Sequence, residues 1–188
     1  MKKPSIKKPL LIVIDGETAT GKTALSIKIS KKFNIPVVGK DQIKEKLFDE
    51  LGLGDREWSY KLGQAGFELM YWFSEKLLAI GQSHVIETAF SQKKASGRIK
   101  QLLKKYKFKI VQINCNAGKE IIVKRFKKRW ESGERHRGHI DYENYNYVES
   151  IDGKRGGIKI PGSIIYLDTS DFKKIDYKKL FSDISKKL

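Results

Sequence analysis

The sequence has little of the chemistry that cross-links a chain or anchors it in a membrane. It contains a single cysteine, Cys115, which excludes an intramolecular disulfide. Its longest apolar run covers residues 10–14, far short of the roughly 18–20 residues that a membrane helix needs. The basic residues 1–9 lead into no hydrophobic signal-peptide core. We therefore expect a soluble cytoplasmic protein with no membrane partner.

Acidic residues are scarce relative to basic ones. The chain has 22 Asp and Glu against 39 Lys and Arg, which gives a net charge of +17. Such an excess is typical of proteins that bind a polyanion such as RNA or DNA. The lysine pairs, however, are scattered along the whole chain, as they are on solvated faces or under a compositional bias. Nucleic acid is therefore one candidate partner among others.

What the sequence does have is a regular alternation of strand-like and helix-like segments. Apolar segments at 10–15, 36–39, 84–87, 108–114 and 164–168 are predicted strands. The longest predicted helix covers about 57–80, and its expected core stripe consists of Leu62, Ala65, Leu69, Phe73 and Leu77. The alternation predicts an α/β fold whose five-stranded parallel sheet has helices on both faces. We expect residues 1–188 to form one domain.

A glycine-rich motif joins the first predicted strand to the first predicted helix. Its eight residues are Gly16, Glu17, Thr18, Ala19, Thr20, Gly21, Lys22 and Thr23. The two glycines permit a tight backbone cradle around phosphate oxygens, and the following helix offers its positive end to the same anion. Lys22 is expected to reach the β- and γ-phosphates, and the Thr23 hydroxyl is expected to bind Mg²⁺. The motif predicts a nucleotide site for ATP and Mg²⁺ formed by all eight residues.

This strand–loop–helix opening resembles that of the P-loop kinases. The pattern is most similar to the small phosphotransferases related to adenylate kinase, which include the polynucleotide kinase domain, chloramphenicol phosphotransferase and the zeta toxins. The resemblance implies a three-layer P-loop fold that transfers the γ-phosphate of ATP to a hydroxyl acceptor. The preference for ATP over GTP rests on this resemblance alone. The lack of an Asn-Lys-x-Asp guanine signature argues against a nucleotide-binding switch.

Two acids follow predicted strands at the edge of the sheet where ligands bind in such folds. Asp41 comes just after the second strand, where the resembled kinases often carry the base that accepts the hydroxyl proton, and it also has the position of a helix N-cap. Glu87 ends the third strand, at the Walker-B position. It is expected to bind metal or contact substrate, unless it is a solvated strand end. Asp15 is interpreted as a structural residue of the loop.

Four of the seven arginines fall close together, at Arg125, Arg129, Arg135 and Arg137. Because the chain otherwise uses lysine, this cluster indicates a need for the planar guanidinium fork on phosphate oxygens. The resemblance places a lid here, at about 125–161, that is open without ligand. We assign Arg125 and Arg129 to catalysis and Arg135 and Arg137 to nucleotide binding, the alternative being a solvated basic helix.

The segment 133–139 of this lid is similar to an Arg-His-Pro-Gly-His pattern of ATP-binding proteins, with Arg137 in place of proline. Its two histidines, His136 and His139, are weak metal candidates because no third ligand lies nearby. The sequence leaves the acceptor open. A small molecule or nucleoside is favoured, and the alternatives are a polynucleotide end or a nucleotide-binding switch that has no acceptor.

Overall fold

The fold is taken from a computed structural model, which describes residues 8–133, 135–140, 145–151 and 156–188. All strands run parallel in one five-stranded sheet whose order is β2-β3-β1-β4-β5. The strands are β1 (Leu10–Gly16), β2 (Val37–Gly39), β3 (His84–Glu87), β4 (Lys109–Asn116) and β5 (Ser163–Asp168). This arrangement confirms the predicted parallel α/β fold.

Helices cover both faces of the sheet. They are α1 (Lys22–Phe33), α2 (Lys40–Leu51), α3 (Arg56–Ala79), α4 (Gln92–Lys105), α5 (Lys119–Glu131), α6 (Tyr145–Ser150) and α7 (Tyr177–Ser185). On β1, Leu11 and Val13 pack against α3 and α4, whereas Leu10 and Ile12 pack against α1 and α7. The uninterrupted apolar run of β1 follows from this burial on both faces.

The core stripe of α3 differs from the predicted one. Leu62 is buried as predicted, but the other stripe positions are replaced by the residues that follow them, Gly66, Met70, Ser74 and Leu78, and Phe73 is 45% exposed. Ser59, Gly63 and Tyr71 are buried as well. Small residues explain the shift. A Cβ on Gly66 would lie 3.2 Å from the Lys40 carbonyl oxygen, and Ser74 is hydrogen bonded to the buried His84. Hydrophobic periodicity alone does not detect such close packing.

Helix α2 begins earlier than predicted. Its N-cap is Gly39, so Asp41 lies within the first turn and caps no backbone amide through its side chain. The N-cap interpretation of Asp41 is therefore wrong, although an acid in the first turn still interacts favourably with the helix dipole. Among the described residues, no helix is both long and apolar enough to span a membrane.

Candidate active site

The loop between β1 and α1 has the backbone geometry of a phosphate cradle. Gly16 and Gly21 both have positive φ angles, of 150° and 83°. A Cβ on Gly16 would lie 2.4 Å from the Cys115 carbonyl oxygen, and one on Gly21 would lie 2.5 Å from the Phe172 ring. Gly16 is therefore required for conformation and for space, and Gly21 for its conformation.

Two side chains of the loop converge on one of its own carbonyl oxygens. The Lys22 ammonium donates to the Glu17 oxygen at 2.8 Å, and the Thr20 hydroxyl donates to the same oxygen at 2.7 Å. The Lys22 side chain is thus folded back over the loop, where a bound phosphate could replace the carbonyl as its partner.

An oxygen pair suited to Mg²⁺ lies beside the loop. The Thr23 hydroxyl donates to a Glu87 carboxylate oxygen at 3.0 Å, and Glu87 is buried rather than a solvated strand end. Burial raises the pKa of Glu87, and the Lys22 charge acts against that rise. Two hard oxygen donors fit Mg²⁺, which takes its remaining ligands from phosphates and water. The described residues contain no cluster of three or more His, Cys, Asp or Glu side chains that would hold a metal by itself.

Asp41 lies between two cations. One carboxylate oxygen is 2.9 Å from the Lys40 ammonium, and the other is 3.5 Å from the Arg135 guanidinium. Burial by itself would raise the pKa of Asp41, but the charges of Lys40 and Arg135 and the hydrogen bond from Lys40 lower it well below its usual range. Asp41 is therefore an ionised carboxylate at every physiological pH.

The structure separates the four clustered arginines. Arg125 donates to the Ser170 carbonyl oxygen at 2.9 Å and stacks on Phe172, with its guanidinium carbon 4.0 Å from the ring centre. Arg129, one turn later on α5, donates to the Thr18 hydroxyl of the loop at 3.2 Å. Arg129 therefore contacts the phosphate loop, whereas Arg125 contacts the loop that follows β5.

The other two arginines lie in a segment that packs on α2. Arg135 pairs with Asp41, and Arg137 is exposed at the start of a short 3-10 helix. Residues 136 and 139 lie against α2 through hydrogen bonds to Asp49 and Glu45, while the expectation of a lid that is open without ligand stays a prediction. Residues 134, 141–144 and 152–155 of the predicted lid lie outside the described residues.

Sequence reasoning missed three residues of this region. Phe172 and Ser170 come from the loop after β5, and Lys40 immediately precedes Asp41. All three follow the carboxyl ends of strands, where ligands bind in parallel sheets, so strand-end position was the available signal. Asp15, in contrast, is structural as expected, because its carboxylate accepts from the backbone amides of Gly16 and Phe90.

The sequence that forms this site matches a known protein family. The sequence model of the Zeta toxin family matches residues 1–145. The chain belongs to the Zeta toxin family. The matched residues include the phosphate loop, Asp41, Glu87 and the segment 135–140, and the P-loop kinase resemblance is thereby confirmed.

Solved structures related to this Zeta toxin family member include kinases. A proposed kinase from Chloroflexus aurantiacus superposes with a TM-score of 0.90 at 32% identity, and the match covers 96% of this chain and 99% of that one. The APS kinase of Mycobacterium tuberculosis, solved with AMPPNP and APS, has a TM-score of 0.56 at 11% identity, covering 95% and 98%. A chain of the PezAT toxin–antitoxin system of Streptococcus pneumoniae has a TM-score of 0.52 at 21%, covering 71% and 57%. The last two show the shared fold alone.

Curated relatives match only a short stretch of this family member. A tRNA dimethylallyltransferase of Staphylococcus epidermidis is 54% identical over 37 residues, which is 20% of this chain and 11% of that protein. A tRNA dimethylallyltransferase of Parasynechococcus marenigrum is 44% identical over 46 residues, covering 24% and 15%. Matches that span about a tenth of the relatives' length do not extend their activity to this chain.

Proposed function

We propose that the protein is an ATP-dependent kinase that transfers the γ-phosphate to a hydroxyl of a small molecule or nucleoside. The observation that carries this proposal is an ionised Asp41 only two residues beyond Gly39, which is paired with Glu87 across β2 and β3. The charge of Asp41 acts on Glu87, and Glu87 is itself hydrogen bonded to Thr23 of the loop. A carboxylate beside a phosphate cradle has the arrangement that hydroxyl activation requires.

In the proposed reaction, the acceptor oxygen forms a bond to the γ-phosphorus as its proton passes to Asp41. The bond from that phosphorus to the β–γ bridging oxygen breaks, and ADP leaves. A carboxylate with a depressed pKa is a weak base, but phosphoryl transfer has a loose transition state in which orientation of the nucleophile matters most. Asp41 therefore serves chiefly as a fixed hydrogen-bond acceptor.

The other side chains are assigned by where they lie. Lys22 and the loop amides bind the β- and γ-phosphates, and Arg129 adds charge beside Thr18. Mg²⁺, held by Thr23 and Glu87, would neutralise phosphate charge. Arg125 and Phe172 present a flat cationic and aromatic surface next to Gly21, which suits the nucleotide base.

A screen of ATP turnover tests the proposal. ADP formation is measured with panels of nucleosides, sugars, antibiotics and oligonucleotides, and Lys22→Ala serves as the blank. An acceptor that raises ADP formation and emerges with a phosphate ester supports the proposal. Binding of ATP without transfer to any panel member or to water would favour the nucleotide-binding switch.

A polynucleotide end is the second candidate acceptor, and the observation that favours it is the net charge of +17. If the oligonucleotide panel is productive, its KM should rise steeply with salt, because phosphate contacts release counterions. A salt-independent KM would assign the charge to solvated surface instead.

A further inference from the structure

The segment Arg135–His139 makes a series of contacts with one face of α2. The acids Asp41, Glu45 and Asp49 recur every four residues and therefore share that face. Asp41 pairs with Arg135 at 3.5 Å, Glu45 with the His139 Nε2 at 2.8 Å, and Asp49 with the His136 Nε2 at 3.1 Å. Each acid of this face is thus matched by one basic side chain of the segment.

An aromatic contact fills the centre of this arrangement. Phe48 is 2% exposed; the His136 ring is stacked on it at 5.5 Å and the His139 ring meets its edge at 6.5 Å. A Cβ on Gly138 would lie 2.3 Å from the Phe48 ring, so only glycine fits between the two histidines. The Arg-x-Arg-Gly-His sequence is therefore matched to α2 by shape as well as by charge.

Helix α3 holds the same segment from a second side. The Ser59 hydroxyl donates to the Gly138 carbonyl oxygen at 2.8 Å, and the Ser59 oxygen accepts from the buried Lys44 ammonium at 2.7 Å. The segment is thus bound to two helices at once.

The histidine contacts do not require protonated rings. The His136 Nδ1 accepts from the Gly138 amide at 3.2 Å, which leaves the proton on Nε2, the atom that faces Asp49. Burial lowers the pKa of His139, and its Nε2–H can donate to Glu45 as a neutral ring. The contacts therefore persist at neutral pH.

We propose that residues 135–139 form a clasp that attaches the base of the lid to α2 and holds Arg135 against Asp41. Arg135 is then a positioning residue for the proposed base and not a phosphate ligand, which revises its assignment from sequence. This inference rests on the proposed function for the role of Asp41, but the clasp itself does not depend on it. The guanidinium and the Lys40 ammonium take one carboxylate oxygen each and so orient the carboxylate.

A double-mutant cycle tests the positioning role. ADP formation from Mg·ATP is measured for the wild type, Arg135→Gln, Asp41→Asn and the double variant, with the exposed Arg56→Gln as control. We expect Arg135→Gln to lower kcat about 10-fold with KM for ATP unchanged, and to have no further effect in the Asp41→Asn background. The positioning role is overturned if the losses in kcat are additive, if KM for ATP rises, or if either single variant keeps the kcat of the wild type.

Limited proteolysis tests the clasp without any activity. Trypsin cleavage after Arg135 and Arg137 should be at least about 10-fold faster in Gly138→Ala than in the wild type, because the added methyl group opens the clasp locally. His139→Ala should behave similarly and His139→Gln should restore part of the protection, while thermal unfolding and circular dichroism confirm that each variant folds. Equal cleavage of the wild type, Gly138→Ala and His139→Ala overturns the clasp. This result does not depend on whether the protein transfers phosphate.

Discussion

The phosphate loop and the clasp are built in opposite ways. The loop is local: eight consecutive residues carry the conformation and most of the donors, and Lys22 reaches a carbonyl only five residues away. The clasp joins residues that lie 87 and 94 positions apart, at His136–Asp49 and His139–Glu45. A loop specified by neighbours can be recognised in a sequence, whereas a clasp specified by distant partners cannot.

The two regions also differ in how they depend on charge. At the loop, burial disfavours the charged form of Glu87 and raises its pKa, so a cation bound there would compensate that charge. At the clasp, every acid already has a cationic or imidazole partner, and the pKa of Glu45 is lowered, first by its hydrogen bond from His139. The loop is thus prepared for a ligand, while the clasp is internally satisfied. The predictions below test that difference.

The largest effect is expected at Lys22. Lys22→Ala should lower ADP formation by about 10³-fold or more, because the ammonium stabilises charge on the transferred phosphate. Its melting temperature should stay close to that of the wild type, since the side chain contacts a loop carbonyl and not the core. The exposed Lys31→Ala is the matched control on the same helix. Turnover like that of the wild type would rule out the phosphate-loop mechanism.

Asp41 should give the next largest effect. Asp41→Asn should lower kcat by about 10²- to 10⁴-fold, because the neutral amide lacks the charge that orients the acceptor hydroxyl and cannot take up its proton. The affinity for ATP should change little, because the contacts of Asp41 are with Lys40 and Arg135 and not with the loop. Glu50→Gln, on the exposed end of α2, is the control. If ATP binding falls as far as turnover does, Asp41 acts through the metal or the fold.

Single Arg→Lys variants should divide the four arginines by position. Arg129→Lys should lower kcat by about 10-fold or more, because lysine keeps the charge but loses the fork beside Thr18. Arg125→Lys should act mainly on KM for ATP, because Arg125 stacks on Phe172 at the proposed base site. Arg137→Lys should have little effect, since this side chain is exposed. Full activity in all three variants would make these arginines a solvated basic surface.

The sequence predicted the parallel sheet and the phosphate loop. It also assigned Thr23 and Glu87 to the metal, which stays a prediction, although the structure brings the two side chains into a hydrogen bond. These features depend on short-range patterns: apolar runs, glycines at set spacing and strand ends. The register of α3 was predicted wrongly because Gly66 and Ser74 are buried for close packing and hydrogen bonding, which a hydrophobic pattern does not detect.

The clasp was beyond sequence reasoning for a different reason. Asp41, Glu45 and Asp49 look like the polar face of an ordinary surface helix, and His136 and His139 look like a weak metal pair. Only the fold shows that Gly138 packs on Phe48 and brings the two sets together. Long-range complementarity of this kind has no periodic signal in a single sequence.

The smallest predicted effect is a pH dependence of the clasp. The pKa of His139 is lowered when the segment is docked, chiefly by burial and also by the charges of Arg135 and Lys44. The hydrogen bond with Glu45 and the charge of Asp41 act in the opposite direction but do not cancel this effect. The undocked histidine, with a pKa near about 6.5, therefore binds protons more readily, so docking weakens as the pH falls below that value. The lowered pKa of Glu45 weakens docking again below about pH 4.5.

Hydrogen exchange of the peptide 135–140, corrected for its intrinsic rate, should be severalfold faster at pH 5.5 than at pH 7.5, and His139→Gln should remove most of that difference. Slower exchange in acid would mean instead that His139 takes up a proton while docked and forms an ion pair with Glu45, and the clasp would then respond to pH in the opposite direction.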